Sequence, residues 1–205
     1  ERRLVALSES VQDLIRADTR EEVADLGVET ARAVLGLEAN TIHLYDEAER
    51  TLEPVAASDA IYDLLDALPS FTPGDSIAWR VYESGEALAV DDVHADPDIN
   101  NPDTPIKSEL YLPLGEYGIL LAGSETAAAF DQRDVALGEI LAGHVTSALK
   151  QVERTEQLRD HRRELEQHND RLEAFTSVVS HDLRNPLHVA DGQLQLAREE
   201  CASEH

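Results

Sequence analysis

Leu158, Leu165, Leu172 and Val179 recur every seven residues, and His161, His168 and Phe175 follow the first three of them by three places. A seven-residue apolar repeat held over three heptads points to two helices wound side by side, because one such helix cannot bury its own stripe. The spacing predicts a long helix and a parallel homodimer. From Asp131 the pattern is helical almost to the end of the 205-residue chain. The register is uneven: Val152, Thr155 and Leu158 step by three and three, while Val179, Leu183 and Leu187 step by four and four. Such interruptions locally overwind or unwind a coil. They are expected to be where the helices can shift or rotate. His161 and His168 leave two readings open: polar tolerance in a marginal seam, or coupling of dimer stability to pH.

Upstream of Asp131 the pattern changes repeatedly. Residues 2–35 read as helix, with Leu4, Leu7, Val11, Leu14 and Ile15 at spacings of three and four, a fresh start at Asp18-Thr19-Arg20-Glu21, and a stop at Gly36. Thr41 to Tyr45 alternates and is β-branched; Leu52 to Ala57 is its hairpin partner across a polar turn. Asp59 to Leu68 reads as a short helix ending before Pro69. Pro73-Gly74-Asp75-Ser76 turns the chain into a further helix, Ile77 to Glu83, closed by Gly85. Ala87 to Asp91 is the next strand, Asp92 to Thr104 a long acidic loop, and Ser108 to Leu114 pairs with Tyr117 to Gly123 across Gly115-Glu116. Helices, strands and a terminal helix in this order predict a mixed α+β domain with an antiparallel sheet flanked by helices.

Charge narrows the partners. Forty-two acidic residues against 17 basic ones give a net charge of −25, and only Lys107 and Lys150 are lysines. Such a surface repels nucleic acid and anionic membranes, so direct DNA binding is not expected. With 42% hydrophobic residues the chain still has material for a core. High acidity with scarce lysine resembles proteins of salt-loving archaea, whose molar salt shortens the Debye length to about 3 Å. Cys201 is the sole cysteine, so neither an intrachain disulfide nor a cysteine-rich zinc site is expected. No run approaches the roughly 18 apolar residues of a membrane span, and no signal peptide is expected from the opening residues. A cytoplasmic location is expected. The chain has no methionine, even at position 1, and it stops inside a helical pattern, so an excerpt of a longer protein is expected.

Two resemblances carry function. The stretch Pro73 to Asp92, with Ser108-Glu-Leu-Tyr-Leu-Pro-Leu114 and Tyr117-Gly-Ile-Leu-Leu121, resembles the GAF domain, a small-molecule sensing module, over roughly residues 1–150. Ser180-His181-Asp182-Leu183-Arg184-Asn185-Pro186-Leu187 resembles the phospho-acceptor box of histidine kinases at every position. Together they imply a GAF-like sensory domain over residues 1–150, a coiled-coil linker over 151–174, and a partial phospho-acceptor helix over 175–205, the first of a dimerisation hairpin.

His181 lies two residues from both Val179 and Leu183, about 200° around a helix, which points it away from the seam. A neutral imidazole there is a competent nucleophile near pH 7. Asp182 is placed to take a proton from the ring or to orient it. Asn185 falls one turn on, on the same face. The resemblance gives it the positioning of water when phosphate is removed. Pro186 lacks an N–H and crowds the carbonyl of Asp182, so a bend is expected beside the nucleophile. The resemblance further implies ATP as phosphate donor, held by a separate ATP-binding catalytic domain, and a response regulator receiver domain as acceptor. No ATP-binding motif is visible in this chain, which alone is expected to be inactive. The rival readings are a non-catalytic dimeric GAF sensor module and, more weakly, a transcriptional regulator.

Other sites fail inspection. Asp96-Pro-Asp98-Ile-Asn100 begins like a calcium loop but has Asn101 where glycine is required and Lys107 where the bidentate glutamate belongs. With no cysteine before Cys201, an attached bilin is not expected. His43, His94 and His144 have no ligand spacing, so no metal site is expected. A pocket for a small-molecule ligand of unknown identity is expected between the sheet, the Ile77 to Glu83 helix and the acidic loop.

Overall fold

The computed structural model describes residues 12–203, with the backbone alone given for residues 170, 173–191 and 193–203. The chain divides into two compact units between Arg154 and Thr155. The first is built on a five-stranded antiparallel sheet in the order β2-β1-β5-β4-β3. Its strands are β1 (Ala39–Asp46), β2 (Thr51–Ala57), β3 (Leu88–Val90), β4 (Ser108–Pro113) and β5 (Gly118–Ser124). The helices are α1 (Arg20–Thr30), α2 (Asp59–Tyr62), α3 (Ile77–Ser84) and α4 (Gln132–Ser203).

Alternation along the strands divides the core into two layers. Ile42 and Leu44 of β1, Leu110 and Leu112 of β4, and Leu120 and Ala122 of β5 face Val23, Ala24 and Val28 of α1. The first turns of α4 join that layer through Leu141, Ala142, Val145, Ala148, Leu149 and Val152, an apolar stripe at helical spacing. On the opposite face Tyr111, Ile119 and Leu121 pack with Ile77, Ala78 and Val81 of α3, and with Phe71 and Val93.

Local chemistry explains the element ends. Thr19 caps α1, its Oγ1 accepting from the Glu22 N–H at 3.2 Å, while Glu22 Oε2 accepts from the Asp18 N–H at 2.8 Å. The helix closes through a π-turn, Ala31–Leu35, at Gly36. Ser76 caps α3 by accepting from the Trp79 N–H at 3.0 Å, and Gly85 ends it in the left-handed conformation at φ 68°. Pro54 sits on the edge strand beside a register shift between Ile42 and His43, a position where a missing N–H is tolerated.

Three expectations need correction. The helix expected over Asp59 to Leu68 stops at Tyr62. The chain is instead drawn to the sheet edge, where Leu52 and Phe71 exchange backbone hydrogen bonds of 2.9 and 3.1 Å. The strand expected over Ala87 to Asp91 is only Leu88–Val90. The β4–β5 connection is longer than Gly115-Glu116: a 3₁₀ turn, Gly115–Tyr117, takes Tyr117 out of β5 and buries it. Its hydroxyl donates to Glu153 Oε2 at 2.7 Å.

The expected long helix is present as α4, which extends through Pro186. In the second unit Leu158, Leu165 and Leu172 are 71%, 68% and 51% exposed, whereas Val152 is 3% exposed in the core of the first. Among the described residues, no helix is long and apolar enough to cross a membrane.

Candidate functional site

A cavity of about 340 Å³ lies on the α3 face of the sheet. Its floor is Glu109 and Tyr111 of β4 and Leu121 of β5. The start of α3, with Ser76, Ile77 and Ala78, forms one wall; Pro69 and Phe71 form another; Val93, Ile99, Asn100, Asn101 and Thr104 supply the acidic loop's side. A cavity therefore lies between the sheet, the helix and the acidic loop, where a pocket is expected.

The loop is pinned over the cavity by contacts with α3 and with itself. Arg80 donates from Nη2 to Asp96 Oδ2 at 2.7 Å and from Nη1 to Asp96 Oδ1 at 3.2 Å, and it also pairs with Asp98. The bonds from Arg80 hold the Asp96 carboxyl below the usual carboxylate range. The Ile77 N–H donates to the Asp98 carbonyl at 3.0 Å, and the Val93 N–H to the Lys107 carbonyl at 2.8 Å. His94 Nε2 donates to the Thr104 carbonyl at 3.1 Å. Asp96 and Asp98, the residues that begin like a calcium loop, are thus the anchors of an arginine. Among the described residues no group of three or more His, Cys, Asp or Glu side chains is placed to hold a metal ion.

His43 is a packing residue of this face. It is buried, its ring lies 5.0 Å from that of Phe71, and Nε2 donates to the Pro69 carbonyl at 2.9 Å. Burial lowers its pKa to about 4, so the ring is neutral. His94 is exposed and His144 half-buried on α4.

Glu109 is the polar centre of the cavity. Its neighbours Leu110 and Leu112 point to the other layer, so strand alternation sends Glu109 and Tyr111 together toward α3. The Tyr111 hydroxyl donates to Glu109 Oε2, its only hydrogen-bond partner among the described residues. Protein surrounds the half-buried carboxyl except where it meets the cavity, and this burial pushes its pKa up to about 7. Sequence reading missed Glu109. The signal was there: an acid in mid-strand, in phase with a tyrosine and out of phase with three leucines.

The other candidate residues are placed only in part. His181, Asp182, Asn185 and Pro186 all lie in α4. Their side chains lie outside the described residues.

A GAF domain family model matches residues 17–150. The chain belongs to the GAF domain family. Solved structures similar to this GAF domain include free methionine-R-sulfoxide reductase from Neisseria meningitidis in complex with its substrate. That protein is 18% identical over 76% of this chain and 94% of its own, with a TM-score of 0.65. The GAF domain of a phosphoenolpyruvate-protein phosphotransferase from Coxiella burnetii is 19% identical over 76% of this chain and 96% of its own, with a TM-score of 0.64. Residues 122 to 287 of a methyl-accepting chemotaxis protein are 23% identical over 71% of this chain and 96% of that one, with a TM-score of 0.57. At these identities the likeness establishes a shared GAF fold. No curated protein matches the chain.

Proposed function

We propose that the chain is the sensory and phospho-acceptor portion of a two-component histidine kinase, in which a ligand held by the GAF domain governs phosphorylation of His181. The observation that carries this reading is the full phospho-acceptor box, residues 180–187, in the helix that begins as a core element of the GAF domain. In the proposed reaction a ring nitrogen of His181 attacks the γ-phosphorus of ATP. An N–P bond forms, the bond to the ADP oxygen breaks, and Asp182 takes or steers the ring proton. ATP is held by a separate catalytic domain, and the phosphate passes to a response regulator. The reading places the chain in the cytoplasm, where ATP is available.

The test is uptake of the γ-phosphate of ATP by the whole kinase. His181→Ala is expected to abolish acid-labile labelling, and Asn185→Ala to leave uptake intact while slowing loss of the label. Undiminished labelling of His181→Ala would sink His181 as the acceptor, and no labelling of the unaltered protein would favour a non-catalytic dimeric sensor.

The reading includes a homodimer. Leu158 and Leu165 stand exposed one heptad apart, and burying each leucine fully is worth about 2 kcal/mol. Sedimentation equilibrium of the chain is expected to give a dimer, and a Leu158→Glu, Leu165→Glu double variant a monomer. An unchanged mass would rule out this seam. The same runs at low and at molar KCl examine the acidic surface: association and folding that ignore salt would remove support for a saline origin.

A further inference from the structure

We propose that the GAF cavity takes a small organic cation, a ligand with one protonated nitrogen and an apolar body. The inference rests on the sensory reading and names the ligand class of that same cavity. Among the side chains lining the cavity, only Glu109 is charged. The neutral lining is largely apolar, with Phe71, Ile77, Ile99 and Leu121 prominent, while Ser76 and Thr104 offer hydroxyls and Asn100 and Asn101 uncharged amides. Arg80, the cation of the flanking helix, is engaged by Asp96 and Asp98 and does not line the cavity.

A phosphate or carboxylate entering this space would meet a carboxylate and no counter-charge, and a buried unpaired charge is costly. An ammonium has the complementary arrangement: a carboxylate to pair with, a hydroxyl already bonded to that carboxylate, and an aromatic and aliphatic surface for its body. The raised affinity of Glu109 for protons agrees with this. Burial disfavours the bare carboxylate, and a positive charge beside it, whether a proton or an ammonium, relieves that cost. The volume, about 340 Å³, lies at the lower end of small-molecule sites, which favours a ligand of one ring or a short chain.

The test uses the full 205-residue chain and three probes of similar shape: phenethylamine, phenethyl alcohol and 3-phenylpropanoate. Calorimetric titration in about 1 M KCl shortens the Debye length to about 3 Å, which removes the general attraction of an acidic protein for cations. The amine is expected to bind at least tenfold more tightly than the alcohol, with no binding of the carboxylate. Glu109→Gln keeps an acceptor for Tyr111 and removes the charge. It is expected to weaken the amine at least tenfold and to change the alcohol less than twofold. The probe series on the unaltered chain decides the matter even if the variant does not fold. Carboxylate binding equal to that of the amine, or amine binding indifferent to Glu109→Gln, overturns the charge assignment. Failure of all three probes overturns the ligand class. The kinase reading has a separate readout in phosphate uptake, so the two can fail independently.

Discussion

Gly118→Ala is expected to cost about 4 kcal/mol or more, a large fraction of the stability of a typical domain. Gly118 starts β5 at φ 151° and ψ −146°, a region almost confined to glycine. A Cβ built there would lie 2.0 Å from the His43 carbonyl oxygen and 2.9 Å from the Leu44 Cα. Both are backbone atoms of β1, the strand that pairs with β5 through His43↔Ile119 and Leu44↔Gly118. No rotamer change relieves that clash; two central strands must part. Strain and lost packing then add, against a total stability of typically 5–15 kcal/mol. Gly27→Ala is the natural comparison. There the nearest atom is the Ile42 Cδ1 at 2.7 Å, the end of a side chain, and a helical alanine gains up to about 1 kcal/mol over glycine. Denaturant midpoints of the two variants check the argument. If Gly118→Ala lost less than about 1 kcal/mol, the close approach would not be the constraint described.

The second large effect is in the pH dependence of stability, where Glu109 and His43 oppose each other. The Glu109 carboxyl has its pKa raised by burial from 4.5 to about 7. Between those values the folded state holds more protons than the unfolded one, so its contribution falls as pH rises. His43 is lowered by burial from 6.5 to about 4. Over that window the folded state holds fewer protons, so its contribution falls as pH falls. Each difference is worth at most about 3 kcal/mol, and the value for Glu109 is nearer 1–2 kcal/mol because its carboxyl borders the cavity. In the unaltered chain the two slopes partly cancel between pH 4.5 and 6.5. Glu109→Gln is therefore expected to stabilise the domain by about 1–2 kcal/mol at pH 8, to change little at pH 4.5, and to steepen the loss on acidification. Urea unfolding at those pH values gives the answer; a stability difference that stays constant with pH would refute it.

What could be read from the sequence was whatever local pattern determines. The alternation around Thr41 to Tyr45 and the hairpin expected over Ser108 to Leu114 and Tyr117 to Gly123 gave the central strands, and Thr19, Ser76, Gly36 and Gly85 marked helix ends where the structure has them. The failures lie where distant residues decide. Nothing near Tyr62 foretells that Phe71 will bridge to Leu52 and cut α2 short. The sequence shows only a long acidic loop there, yet Arg80 recruits Asp96 and Asp98 from 16 and 18 residues away. The cavity's location was legible because it follows from the order of elements. Its polarity was not, because one strand position in phase with Tyr111 carries it.

The junction with α4 has a practical consequence for cutting the protein. The family match ends at residue 150, and a designer would place a terminus there. Val152 is nonetheless a buried core residue, and Glu153 receives the hydroxyl of Tyr117 from the β4–β5 turn. A fragment trimmed at the family boundary would lose one of its own wall stones and a tie to its sheet. The severance point that respects the fold lies after Arg154, inside a helix rather than in a loop, so a clean cut must be made through a run of helical hydrogen bonds.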